Sequence, residues 1–130
     1  MSVKKPTEQS IVNACLDLLA YRGAFAWRVN QGAMKTAAGG FVRFNRVKGI
    51  SDIVGVLPSR TGTLKASGAP YYVAGGKMIC VEVKRPGLGN RSKPEPHQQL
   101  FLDIVRDKGG LAVCVTSVAE LDALLTLEGY

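Results

Sequence analysis

Several features are scarce in this chain, and each scarcity excludes something. Cysteine occurs three times, at Cys15, Cys80 and Cys114, each inside an apolar segment and with no CxxC spacing. An odd, scattered set argues against a disulfide framework or a zinc site and for reduced, buried thiols. Apolar runs are short, and none approaches the roughly 20 residues of a membrane span. The N-terminal "MSVKKPTEQS" has two lysines but no apolar stretch to make it a secretory leader. The expectation is a cytoplasmic protein with no membrane partner. No convincing helix-turn-helix or zinc-finger spacing is found, which weakens a transcription-factor reading.

Acidic residues are scarce in one place. The chain has 130 residues and a net charge of +7, but between Arg43 and Lys93 ten cations face only two acids, Asp52 and Glu82. The rest of the chain is close to neutral. A basic excess confined to one region fits a polyanionic partner better than general solubility does. Both acids of that region fall inside strand-like runs.

What is present reads as one domain, with hydrophobic residues at 46%. Residues 8 to 20 place Ile11, Cys15, Leu18 and Leu19 at helical spacing, with Val12 and Leu16 widening the stripe. Thr7 is the N-cap candidate and Gly23 follows the end. "FAWRVN" (25–30) is a short strand, "QGAMKTAAGG" (31–40) a Gly-rich loop, and "FVRF" (41–44) an edge strand. "SDIVGVL" (51–57) reads as a buried strand. Residues 58–76 are rich in turn formers and predict an exposed hairpin or a flexible loop. After a strand at 77–85, Pro96 starts a helix over 96–108 whose apolar side is Phe101, Ile104 and Val105, closed by Gly109-Gly110. "LAVCV" (111–115) is a strand covered on both faces. Ser117 with Glu120 forms a capping box for a last helix carrying Leu121, Leu124 and Leu125. The order α-β-β-β-α-β-α predicts an α/β domain, a mixed central sheet flanked by helices.

The stretch "GGKMICVEVKRPG" raises the functional question. As a half-buried strand it puts Ile79, Val81 and Val83 on one face and Cys80, Glu82 and Lys84 on the other. Glu82 and Lys84 could form a surface ion pair worth under ~1 kcal/mol. Asp52, however, stands at the mouth of the preceding buried strand, where a bare carboxylate is costly unless it is paired, caps a turn or binds a cation. If the two strands pair, Asp52 and Glu82 meet, and a divalent cation with hard oxygen ligands would relieve their repulsion. Lys84 would then orient a water or a phosphate. Two more polar residues share helical stripes with apolar ones. Glu8 precedes Ile11 and Cys15, and Gln98 precedes Phe101 and Val105. Either could reach the same sheet edge, although Glu8 also suits a helix N-terminus. His97 is read as a surface residue. For Trp27, Tyr71 and Tyr72 a core or hairpin role is favoured over stacking on bases.

The pattern Asp52 … Glu82-x-Lys84 resembles the PD-(D/E)XK nuclease core. More closely, "FAWRVNQGAMKT…GGFVRFNRVKGISDIVGVL", "CVEVKRPG" and "HQQLFLDIVRDKGGLAVCVTSVAEL" resemble the VRR-NUC domain, the virus-type replication and repair nuclease module, from Glu8 to about Leu121. The resemblance implies a restriction-endonuclease-like core and metal-dependent DNA cleavage. It implies that Asp52, Glu82 and the Val83 carbonyl hold Mg²⁺ or Mn²⁺ and that Lys84 serves the attacking water. Glu8 and Gln98 match the family's first-helix glutamate and the glutamine that follows its E-x-K. Stand-alone members are homodimers acting on branched DNA such as four-way junctions, and fused members act on flaps. Arg43, Arg46, Lys48, Arg85, Arg91 and Lys93 are the expected phosphate contacts. Two alternatives stand beside this reading: an inactive DNA-binding module on the same fold, and a sequence-specific restriction-type nuclease. The 58–76 segment is longer than the family's usual turn, and a basic hairpin beside the site is expected to select or exclude a duplex arm.

Overall fold

In a computed structural model the described residues are 4–29, 33–35, 37–39, 41–43 and 47–130. The first helix, α1, runs over Glu8–Tyr21. Thr7 caps it, its hydroxyl accepting from the Ser10 N–H at 3.1 Å. Ile11, Val12, Cys15 and Leu19 are its buried stripe, as their spacing predicts. The main sheet has four strands in the order β1-β4-β7-β8: β1 Phe25–Arg28, β4 Ile53–Val56, β7 Met78–Val83 and β8 Leu111–Val115. The first three are mutually antiparallel, and β8 joins β7 in parallel. A parallel neighbour needs a long crossover, supplied here by helix α2, Pro96–Asp107. The last helix, α3, covers Val118–Leu127. Counting only strands of this sheet, the chain runs α-β-β-β-α-β-α, the order read from the sequence.

Two small antiparallel pairs project from this frame. Strands β2 (Ala33–Lys35) and β3 (Phe41–Arg43) pair with each other and not with the main sheet. Residues 33–35 are therefore a strand where the sequence suggested loop. Residues 30–32, 36, 40 and 44–46, Arg46 among them, lie outside the described residues, and of Arg43 only the backbone is described. Residues 58–76 form a hairpin, β5 (Arg60–Thr63) with β6 (Pro70–Val73). Gly62 is needed there, because a Cβ would lie 2.6 Å from the Tyr71 ring that covers it.

The sheet divides the core in two. On one face Ile53, Ile79, Val81, Val83 and Val115 pack under α1 and α3, joined by Leu121, Leu125 and Tyr130. On the other, Val54, Cys80 and Ala112 meet Leu102 and Val105 of α2. The Val, Leu and Ile side chains among these are each worth about 1.5–3 kcal/mol when fully buried. Two expectations change. The apolar side of α2 is Leu102 with Val105, while Ile104 is exposed. Strand β7 is not half-buried: Ile79 through Val83 are all buried, Glu82 included, because it is a central strand with helices over both faces. The capping box of α3 is also shifted. Ser117 accepts from the Glu120 N–H, but the Glu120 carboxylate reaches back to the N–H of Thr116. No helix among the described residues is long and apolar enough to cross a membrane.

Candidate functional site

Register alone brings the two lone acids together. Arg28 pairs with Ile53, Ile53 with Val81, and Glu82 with Cys114. One step further along the antiparallel strands, Val29, Asp52, Glu82 and Cys114 form a row across the sheet. Asp52 sits just before β4, where its own carbonyl accepts from the Val29 N–H at 2.8 Å. Its carboxylate Oδ2 accepts from the Val83 N–H at 2.7 Å, which fixes it against β7.

Glu82 is the unusual group. It is 3% exposed, and its Oε2 has no hydrogen-bond partner. Burial first, and the charge of Asp52 second, push its carboxyl up to about 8, against the opposing pull of Lys84. The Lys84 ammonium lies 3.5 Å from Glu82 Oε1 and is itself largely buried. This is no surface ion pair. A buried carboxylate with one oxygen unsatisfied is expensive to keep, and such cost in a cleft is a mark of a binding or reaction site.

The cleft has a volume of about 360 Å³ and is lined by Glu8, Arg28, Val29, Asp52, Glu82, Lys84 and Gln98. All five residues singled out for catalysis from the sequence reach it. Glu8 is an exposed first-turn residue of α1. Gln98 stands at the third position of α2, where its Oε1 accepts from the Glu95 N–H at 2.9 Å. One end of that amide closes the helix, which leaves the NH₂ for the cleft. Gly49 locks the Asp52 loop onto the same helix end. Its φ is +77°, and a Cβ there would lie 2.2 Å from the His97 carbonyl oxygen. Val83 contributes its N–H to Asp52, and its side chain is buried in the opposite core.

Arg28 was not singled out by its sequence. It lies in an edge-strand run whose neighbours are aromatic and apolar, with no spacing signal, and only pairing with β4 carries it to the cleft. Its guanidinium donates to Gln9 Oε1 and makes no ion pair with any described residue. Its hydrogen-bond partner is thus a neutral amide rather than a carboxylate.

Of the other cations, Lys48, Arg85, Arg91 and Lys93 are exposed. Arg85, Arg91 and Lys93 lie on the segment that joins Lys84 to Gln98, tied by the Ser92 hydroxyl, which accepts from the Leu88 N–H and donates to the Arg85 carbonyl. His97 faces Glu95 at 3.4 Å on the surface. Cys114, beside Glu82 in the row, has its thiol pushed up to about 11, chiefly by burial. It is not a nucleophile at neutral pH.

Two expectations are corrected. The β5–β6 hairpin leaves from the end of β4 and returns at the start of β7, which lie side by side one strand length (about 15 Å) from Asp52. It is not beside the site. Trp27 is not a core residue: it is 45% exposed on β1, against an exposed Phe25 with ring centroids 5.3 Å apart.

Among the described residues no three His, Cys, Asp or Glu side chains gather closely enough to form a metal cage of their own. The donors present are a carboxylate pair in a polar cleft. Comparisons of the chain with protein-family models, with curated proteins and with solved structures find no match.

Proposed function

We propose that this chain is a divalent-metal-dependent nuclease that hydrolyses DNA phosphodiester bonds, with branched DNA as its substrate class. The observation that carries the reading is the pair Asp52 and Glu82, brought together by register, with one buried Glu82 oxygen left without a partner. Asp52 raises the proton affinity of Glu82, and such a pair in a polar cleft of a basic chain suits a hard divalent cation. Asp52, Glu82 and the Val83 carbonyl would hold it. A bound Mg²⁺ or Mn²⁺ would supply an activated water and offset charge on the phosphate.

The chain's own residues account for the rest. Lys84 holds the reacting water and balances negative charge that builds on phosphate oxygens. Gln98 offers its NH₂, and Glu8 closes the rim as a third carboxylate. The cations Lys48, Arg85, Arg91 and Lys93 contact phosphates on either side and fix position without reading sequence. The α-β-β-β-α-β-α order around a mixed sheet supports a PD-(D/E)XK-like core, and the VRR-NUC resemblance supports a homodimer, which sedimentation velocity tests.

The test is cleavage of a labelled panel of linear duplex, single strand, 5′ and 3′ flaps, splayed arms and a four-way junction, with Mg²⁺, Mn²⁺ or EDTA. Cutting concentrated on a branched form, abolished by EDTA and by Asp52→Ala or Glu82→Ala, is the expected result. Activity of either variant at the wild-type rate would remove the assignment. Binding without cutting in every metal would make the chain a DNA-binding module, and fixed fragments from random duplex would make it a sequence-specific nuclease.

A further inference from the structure

The face of the sheet that carries the site continues beyond it as an uncovered apolar strip. The row Val29–Asp52–Glu82–Cys114 is followed by Trp27–Val54–Cys80–Ala112, and that by Phe25–Val56–Met78, all on one face by the period-two rule. Helix α2 covers only the β7 and β8 side of this face. Val54, Cys80 and Ala112 are sealed beneath it, but Trp27 is 45%, Phe25 74%, Val56 41% and Met78 39% exposed. Trp27 is thus one row, about 7 Å, from Asp52, and Phe25 one row further. The two rings form a tilted pair. Next to Trp27 in the chain but on the other face of β1, Arg28 lines the cleft, held by Gln9 and in no ion pair with any described residue.

We propose that β1 is a single-strand track: Trp27 and Phe25 stack on unpaired bases next to the scissile bond, while Arg28 holds the backbone phosphate. This rests on the nuclease reading of the cleft and narrows its substrate to DNA with an unpaired strand at the cut. Three features favour nucleobases as the occupant. The strip is continuous with the cleft rather than separate from it. Its large side chains are flat aromatic rings, and stacking is tolerant of sequence because every base has a π-face. Arg28, projecting from the opposite face of the same strand, lines the cleft at the end of this strip and makes no ion pair with a described residue, which leaves it for a phosphodiester backbone. In a duplex the same bases would be stacked and paired, and out of reach of these rings.

Trp27 is the chain's single tryptophan, so indole fluorescence reports on this position alone. The experiment titrates the full-length Asp52→Asn chain, which does not cut, with a short single-stranded oligonucleotide, an abasic oligonucleotide of equal length and a blunt duplex. The base-bearing strand is expected to quench the emission, and the abasic strand to bind without quenching. In the same background Trp27→Ala weakens the base-bearing strand about tenfold, with Trp27→Phe restoring most of it and the abasic affinity unchanged. Arg28→Gln weakens base-bearing and abasic strands alike and lowers the salt slope by about 0.7. Single-strand binding with no quench and no effect of Trp27→Ala overturns the track and leaves the nuclease standing. Failure of every DNA to bind removes both readings. A protein-concentration-dependent shift in Trp27 emission without DNA, matched by dimerisation in sedimentation, overturns it in favour of a second copy on the strip.

Discussion

The two faces of one sheet differ more than any two elements of this molecule. Ile79, Val81 and Val83 point to the face under α1 and α3, where they join the larger buried apolar cluster. Cys80, Glu82 and Lys84 alternate with them on the same strand. They point to a face that is covered by α2 over half its width, carries two carboxylates and leaves aromatic rings in water. The first face stabilises the fold. The second spends stability on a buried, poorly satisfied Glu82, and such concentrations of strain belong to sites.

The sharpest way to break this comparison is to remove one residue from each face. Glu82→Ala or Lys84→Ala is expected to lower DNA cleavage about a hundred- to a thousandfold while circular dichroism shows the fold retained. Lys84→Ala should retain Mn²⁺ binding by titration calorimetry. Leu121→Ala, on the sealed face, is expected to lose 2–5 kcal/mol of stability, roughly, in urea unfolding, and Ile104→Ala, on the open one, about 0.5 kcal/mol or less.

Gly49→Ala tests the seam between the Asp52 loop and α2. The added Cβ meets backbone, not a flexible side chain, at a residue whose φ is +77°. A loss of about 2 kcal/mol or more is expected in denaturant unfolding, with weaker cleavage because Asp52 and Gln98 move apart.

A pH series distinguishes the faces without a kinetic assay. Glu82 is raised from 4.5 to about 8 by burial and by Asp52. Between those values the folded chain keeps a proton that the unfolded chain releases, so metal-free stability falls as pH rises through the window. The melting temperature without metal should drop by about 5 °C or more from pH 5 to pH 8. Glu82→Gln should flatten the curve, and Mg²⁺ should protect progressively more towards pH 8. An unchanged slope in Glu82→Gln would assign the pH dependence to other groups. The smallest effect belongs to the loop cations: Arg91→Gln should reduce the salt slope of duplex binding by about 1, leaving melting unchanged.

Much of this architecture was legible in the residues. Thr7 and Gly23 bound α1, Pro96 and Gly109 bound α2, and period-two alternation identified β7, because caps, turns and side-chain periodicity are local. The same alternation placed Glu82 and Lys84 on one face. It misjudged the burial of β7, since whether the second face is covered depends on where α2 lands. It also chose Ile104 over Leu102, two apolar residues on adjacent sides of one helix that local periodicity does not separate.

The site divides along the same line. The chain by itself determined that two acids stand alone in a basic segment, each in a strand-like run, one two residues before a lysine. Only tertiary structure decided that they face each other, through the Ile53–Val81 register, and that Glu8 and Gln98 reach their cleft. The entry of Arg28, the distance of the 58–76 hairpin from the cleft and the exposure of Trp27 were decided the same way. The physical reason is that chemistry is carried by residue type, whereas proximity is set by hydrogen-bond register and helix docking between segments distant in the chain, which no local pattern encodes.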